Sequence, residues 1–324
     1  MGDAAGSETV QQLQIPLIDI SAYLSGKDAS AIHEIVESLR SACQSPGFFQ
    51  ITGHNVSRTL REAFLSEIAD FFALPSDQKK GLHRGNSHCL RGYESVGEQM
   101  LEGGFADQKE GFMVGLELPG ATRFLQGPNQ WPPGSELPHF RESFMEYFNQ
   151  MHELSKDMFR LMALSLSLEE TYFDEFVSSE NSIPMCRAHR YPPATAETAR
   201  NSRGIGAHTD FGALTLLMQD SIGGLEVFHK PSGTWHPVVP VDDAFVVNIG
   251  DMMERWTNEM YTSTLHRVIT PVSNRYRYSV AFFNEGLLDQ VIECIPTCLG
   301  PGEQPKYRPI RAEDHLKERY GNSY

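Results

Sequence analysis

Positive charge is scarce in this chain of 324 residues: 27 lysines and arginines face 42 aspartates and glutamates, a formal net charge of −15. A surface of that sign repels a phosphate backbone, so nucleic acid is not an expected partner. Cysteine is sparse as well. Cys43, Cys89, Cys186, Cys294 and Cys298 are scattered, with no Cys-x-x-Cys among them, which points to reduced thiols in a cytoplasmic protein rather than a disulfide framework. No apolar run approaches the length of a membrane span, and Met1 to Gln14 lack a basic stretch followed by an apolar one, so neither a membrane nor a signal peptide is expected. Several motifs start and fail. Met1-Gly2 has Gly6 where a myristoylation signal needs Ser or Thr. Gly204-x-Gly206 has Thr209 where a dinucleotide fingerprint needs its last Gly, and His33-Glu34 and His152-Glu153 meet Glu37 and Lys156 where a zinc-protease motif needs its second His.

What remains is a chain that is 40% apolar, enough for a substantial core. Residues 1–14 read as a tail. Ile15 to Ile20 is a short strand with Pro16 at its start. Ile32, Ile35, Val36, Leu39 and Cys43 recur at helical spacing, Phe48 to Ile51 is a second strand, and Leu60, Phe64, Ile68, Phe71 and Phe72 mark another helix. Gly, Pro and polar residues interrupt every pattern over residues 81–136, so no regular element is assigned there. From Phe140, the set Phe144, Tyr147, Phe148, Met151, Met158, Leu161, Leu164 and Leu168 marks a helix of roughly 25 to 30 residues, about 40 Å at ~1.5 Å per residue, suited to brace a sheet.

After Ile183 the texture changes to short β-rich runs punctuated by Gly223-Gly224, Pro231-Ser232-Gly233 and Ser273-Asn274. The runs are Met185–Tyr191, Gly206–Asp210, Leu214–Gln219, Leu225–Phe228, His236–Val239, Phe245–Ile249, His266–Ile269 and Arg277–Phe283. Their number and spacing suit an antiparallel sandwich or barrel, the double-sheet jelly roll included. The expected organisation is mainly β with supporting helices: an N-terminal helical and strand region at 15–180, a core at 181–290, and a C-terminal tail and helix at 291–324.

Within the β-rich part, His208-Thr209-Asp210 is followed at long range by His266-Arg267-Val268 and then by Arg277-Tyr278-Ser279. If His208 and Asp210 lie on a strand, the period of two points both to one face, where an imidazole and a carboxylate can grip one metal ion. His266 would complete a 2-His-1-carboxylate facial triad, which suits Fe(II) and leaves positions open; the same ligands would also accept Co(II), Ni(II) or Zn(II). Arg277 and Ser279 repeat the geometry, setting a guanidinium fork and a hydroxyl on one face, as a small dicarboxylate requires.

This ordered set, with Asn248-Ile249-Gly250-Asp251 and Trp256-Thr257-Asn258 between the ligands, resembles the catalytic half of the 2-oxoglutarate and Fe(II)-dependent dioxygenases, in the branch similar to isopenicillin N synthase. The resemblance implies a distorted double-stranded β-helix (jelly roll). It also implies Fe(II) on His208, Asp210 and His266, 2-oxoglutarate held by Arg277 and Ser279, O2 as oxidant, and ascorbate as a stimulant. Tyr191, in His189-Arg190-Tyr191-Pro192-Pro193, matches a tyrosine of the family that can donate to a 2-oxoglutarate carboxylate; many relatives carry Asn where this chain has His189. Arg91-Gly92-Tyr93-Glu94 and Asp107 to Phe112 resemble segments that reach the mouth of the active site. The family layout places Phe112, Leu225, Phe283 and Asn284 at the substrate walls.

The implied reaction is oxidation of an unactivated C–H bond of a small organic molecule, with decarboxylation of 2-oxoglutarate to succinate and CO2. Hydroxylation is the default, and desaturation, cyclisation and ring expansion use the same machinery. The branch points to specialised metabolite biosynthesis. Three alternatives stand beside this reading: a 2-oxoglutarate-independent non-haem iron oxidase of the same branch, a nucleobase hydroxylase, and a catalytically inactive binding protein.

Overall fold

A computed structural model describes residues 13–26, 28–200 and 202–321; most of the expected tail at 1–14 lies outside the described residues. Among the described residues, twelve strands form two facing sheets. They are β1 (Leu17–Asp19), β2 (Phe48–Thr52), β3 (Gly92–Glu94), β4 (Glu110–Gly115), β5 (Ser182–Tyr191), β6 (Arg203–His208), β7 (Leu214–Gln219), β8 (Leu225–His229), β9 (Thr234–Pro237), β10 (Phe245–Ile249), β11 (His266–Ile269) and β12 (Arg277–Leu287). The larger sheet runs β1-β2-β10-β7-β12-β5-β4-β3 and the smaller β6-β11-β8-β9. This is the jelly-roll arrangement expected from the strand pattern.

Residues before Ile183 contribute more than a flanking layer. β1 and β2 close one edge of the larger sheet and β3 and β4 the other. Strands β3 and β4 lie in the stretch 81–136, to which the sequence pattern assigns no element. Their residues are buried throughout and β3 is only three residues long, so neither shows the polar/apolar alternation by which a half-exposed strand is recognised.

The helices form as their apolar spacing predicts, at Ala29–Gln44, Arg58–Ala73 and Phe140–Ser165. Asp28 caps the first by accepting from the N–H groups of Ser30 and Ala31 at 3.0 and 3.1 Å, worth about 1 kcal/mol. The longest is the expected brace. Phe144, Tyr147, Phe148, Met151 and Met158 are fully buried on it, and each such side chain contributes roughly 1.5–3 kcal/mol. They pack on the outer face of the larger sheet; Phe148, for example, sits 5.4 Å from Phe282 of β12.

Period two divides the larger sheet cleanly. On β12, Phe282 belongs to the helix-side core, whereas Ser279 pairs with His189 and Gln219, and Phe283 with Thr215, on the face turned to the smaller sheet. The same face carries Leu217, Asn248 and Phe48 from β7, β10 and β2. The residues singled out for metal and cosubstrate meet between these two faces.

Candidate active site

His208 ends β6 and His266 begins β11, and antiparallel pairing sets them directly opposite each other. Asp210 lies two residues past the end of β6 rather than on it, a correction to the expected His-x-Asp strand. The turn nonetheless returns its carboxylate to the two imidazoles. One donor atom from each of the three residues lies within 4.8 Å of the others.

Hydrogen bonding leaves the right atoms facing inward. His208 Nδ1 lies 2.8 Å from the Gly206 carbonyl and His266 Nδ1 lies 3.0 Å from the Thr264 carbonyl. A carbonyl only accepts, so each Nδ1 carries the proton and each Nε2 presents a lone pair. Both Nε2 atoms lie 3.7 Å from Asp210 Oδ1. The other oxygen, Oδ2, is engaged, accepting from Thr215 Oγ1 at 2.5 Å and from Asn248 Nδ2 at 2.7 Å. Burial, reinforced by His266, lowers the His208 imidazole to about 4 and keeps it neutral. Burial works against ionisation of Asp210, but the two histidines and the Asn248 and Thr215 hydrogen bonds outweigh it, so the carboxyl stays below its ordinary value. Two imidazole nitrogens and one carboxylate oxygen, presented on one side, are the donor set of a facial triad for a divalent metal.

Two chambers meet at His208 and Asp210. The inner one, about 500 Å³ counted out to its opening, is lined by Tyr191, Leu217, Leu225, Arg277 and Ser279 among others. Arg277 is fully buried; its Nε donates to the Gly223 carbonyl and Nη2 donates to Gln219 Oε1 at 3.3 Å. Nη1 is buried without a partner. An orphaned, buried guanidinium N–H lining this chamber fits a bound carboxylate, which would satisfy it. Ser279 Oγ and Tyr191 OH lie 3.3 Å apart beside it, and the guanidinium sits 4.5 Å over the Tyr191 ring. The observed donors therefore fit a small dicarboxylate reaching from the metal ligands to Arg277.

The outer chamber, about 630 Å³ counted to its open mouth, is lined by Gln99, Met113, Arg187, His189, Phe211, Phe283, Glu285 and Tyr320, together with His208 and Asp210. Its mixed aromatic and polar lining suits a small organic molecule. Of the four residues expected at the substrate walls, only Phe283 lies here. Leu225 lines the inner chamber instead. Phe112 and Asn284 are corrections. Phe112 points to the helix side, 4.4 Å from the Phe71 ring, and Asn284 Nδ2 donates to Ser155 Oγ at 3.0 Å on the long helix. Both sit at strand positions of the wrong parity. Counting in twos from Ser279 reaches Phe283 and Glu285, and from Tyr191 it reaches His189 and Arg187. That signal was present in the sequence and would have found the outer chamber.

Neither N-terminal segment expected at the mouth lines the outer chamber itself; both touch residues that do, Arg187 and Gln99, through charged side chains. Glu94 Oε2 accepts from Lys109 Nζ at 2.6 Å and from Arg187 Nη2, and Gln99 Oε1 accepts from Lys109 Nζ at 2.8 Å. Asp107 Oδ1 accepts from the Gly206 N–H at 2.9 Å, tying the segment to the strand that ends in His208.

Residues 182–286 match the 2OG-Fe(II) oxygenase superfamily, and residues 15–134 match the family described as non-haem dioxygenase in morphine synthesis, N-terminal. A 2-oxoglutarate-Fe(II) type oxidoreductase of Emericella nidulans is 43% identical over 319 residues, covering 95% of this chain and 90% of that protein. A 2-oxoglutarate-dependent dioxygenase of Monascus ruber is 38% identical, covering 98% and 97%. Among solved structures, a full-length Neurospora crassa protein in complex with alpha-KG and thymine superposes with a TM-score of 0.86 at 29% identity, covering 99% of both chains.

Proposed function

The chain belongs to the 2OG-Fe(II) oxygenases, and from that premise we propose that His208, Asp210 and His266 hold its iron, that Arg277, Ser279 and Tyr191 hold 2-oxoglutarate, and that the outer chamber receives the substrate. It is a 2-oxoglutarate-dependent dioxygenase, with Fe(II) as cofactor and 2-oxoglutarate as cosubstrate, that oxidises a C–H bond of a small organic molecule. The observation that carries the residue assignment is the pair of inward Nε2 atoms sharing Asp210 Oδ1, with the unpartnered Arg277 N–H at the far end of the same chamber.

When bound, iron with 2-oxoglutarate supplies the activation of O2 that abstraction of hydrogen from carbon requires. The chain's own part is positional. The Gly206 and Thr264 carbonyls fix the imidazole tautomers, and Thr215 and Asn248 hold one Asp210 oxygen so that the other is presented. Arg277 neutralises the distal carboxylate of 2-oxoglutarate, and Ser279 and Tyr191 add hydroxyl donors. Ile205, Phe283 and Leu225 make the surrounding walls apolar and limit water.

The substrate is assigned to specialised metabolism, a reading supported by the kinship with fungal enzymes of this class. Free cysteines at all five positions support a reducing, cytoplasmic setting. Among the described residues no helix is long and apolar enough to cross a membrane. Incubation with Fe(II), 2-oxoglutarate and O2 tests the assignment. Succinate should accumulate with the natural protein and fall to background with His208→Ala; equal succinate from both would remove His208 from the metal site.

A further inference from the structure

The outer chamber holds a carboxyl that the oxygenase reading leaves without a task. Glu285 lines it beside Phe283 and is 3% exposed. Among the described residues it makes no hydrogen bond or ion pair, and its Oε2 is buried without a partner. Neighbouring donors are spent elsewhere. The carboxyl's electrostatic neighbours are Asp210 and Asp251; the Thr215 hydroxyl and the Asn248 amide donate to the first, and the Thr209 and Ser263 hydroxyls donate to the second. Glu285 is left facing the chamber.

The fold makes room for this side chain in two ways. At Gly212 any Cβ would fall on the Glu285 carboxyl, and the three atoms it would meet first all belong to that group. On β12 the pairing with β5 passes from Asn284 opposite Pro184 to Leu287 opposite Ser182, so a bulge falls at Glu285 and Gly286, with Gly286 at φ +66°. A bulge of this kind re-aims the side chain it carries. A core position has no use for a carboxyl held like this, since Leu or Met would fill the same space without an unsatisfied oxygen. In either protonation state a carboxyl keeps at least one acceptor lone pair, so a hydrogen-bond donor entering the chamber completes it.

The walls around it are aromatic, with Phe211, Phe283 and Tyr320 lining the cavity and Phe211 packed 5.3 Å from Tyr320. On this basis, and resting on the oxygenase reading above, which makes this the substrate chamber, we infer that Glu285 is a specificity residue that accepts a hydrogen bond from an O–H or N–H group of an aromatic substrate. Gly212, against which the carboxyl packs, lies two residues past Asp210. The donor is therefore anchored on the Asp210 side of the chamber, and that anchor sets which carbon faces His208 and Asp210, which line the same cavity. Selection rests on what the substrate donates, not on its charge.

The test is binding of matched probes to the full-length protein, followed by NMR chemical-shift titration, which needs no turnover. Phenol and toluene differ by an O–H donor and indole and benzofuran by an N–H donor, with nearly the same shape within each pair. Toluene and benzofuran are the more apolar members, so the quantity read is the affinity ratio within a pair and its change between proteins. Glu285→Leu should lower the phenol-to-toluene ratio, the indole-to-benzofuran ratio or both by about tenfold, and the pair that responds identifies the donor as O–H or N–H. Glu285→Gln keeps an acceptor oxygen and should keep most of the ratio. Gly212→Ala, whose methyl displaces the carboxyl, should act as Glu285→Leu does, so the inference remains testable if one variant fails to fold. Ratios unchanged by Glu285→Leu and Gly212→Ala, a loss in Glu285→Gln as large as in Glu285→Leu, or no binding of either pair to the natural protein would each overturn it. The oxygenase reading is checked separately by adding Fe(II) and 2-oxoglutarate anaerobically to the natural protein, where their visible absorption band does not depend on any probe.

Discussion

His208 and His266 are directly paired residues of neighbouring strands, with ring centroids 4.3 Å apart and both Nε2 atoms 3.7 Å from the same oxygen of Asp210. Sheet pairing therefore fixes two of the three proposed ligands against each other, and only Asp210 has to be placed by a turn. The turn is held by Asn248 of β10, which donates to Asp210 Oδ2. Asn248→Ala is expected to weaken Fe(II) or Co(II) binding by about 10–100-fold while leaving the fold intact, as outer partners of metal ligands generally do. Anaerobic metal titration followed by absorbance checks this; unchanged affinity would mean that the turn holds Asp210 without Asn248.

Arg277 should be irreplaceable even by another cation. Its Nε is spent on the Gly223 carbonyl and Nη2 on Gln219, which leaves Nη1 for the ligand. Lys has neither the fork nor the reach to keep those anchors. Arg277→Leu should cost about 2–5 kcal/mol of 2-oxoglutarate binding, and Arg277→Lys should recover only a small part of it. Isothermal titration with 2-oxoglutarate on the metal-loaded, anaerobic protein measures both; full recovery by Lys would reduce the role of Arg277 to charge alone.

Glu285 makes a pH signature. Burial raises its carboxyl from 4.5 to about 8, with Asp210 and Asp251 adding to the shift. Across that window the native state holds a proton that the unfolded chain has released. Stability conferred by this group is thus complete below the unfolded value and is lost as pH climbs to the folded one. Glu285→Gln removes the dependence. The melting temperature of the variant should rise relative to the natural protein as pH goes from about 5 to about 8, with no ligand added. A constant difference over that range would mean the carboxyl titrates normally.

Phe112 provides a control for the inner and outer faces of the sheet. It is fully buried against Phe71, Phe140 and Phe144 on the helix side. Phe112→Ala should cost roughly 3–5 kcal/mol in denaturant unfolding and leave 2-oxoglutarate affinity unchanged. A selective loss of ligand binding without loss of stability would return Phe112 to the substrate wall.

These contrasts show what a sequence can and cannot reveal in this fold. The residues of the triad and Arg277 were legible because their chemistry is unusual and their order along the chain is characteristic. The amphipathic helices were legible because one face of each is buried and the other is wet. Strands β3 and β4 were not, since burial on both faces removes alternation, and Asp210 was set on a strand because a two-residue spacing does not distinguish a strand from the turn that follows one. The family layout set Asn284 and Phe112 at the substrate walls, although the parity of Arg277 and Ser279 already assigned Phe283 and Glu285 to the inner face. Lys109, Glu94 and Arg187 come from three separate stretches of chain, and no local pattern could have joined them.

The central claim is that one inner face holds iron on His208, Asp210 and His266 and 2-oxoglutarate on Arg277. The most direct measurement is anaerobic titration of the protein with Fe(II) and then 2-oxoglutarate, watching for the visible metal-to-ligand charge-transfer band, in parallel with His208→Ala and Arg277→Leu. The band should form in the natural protein, be absent in His208→Ala, and require more 2-oxoglutarate in Arg277→Leu. Bound iron without a band in the natural protein, or a band that both variants reproduce at the same concentrations, would contradict it.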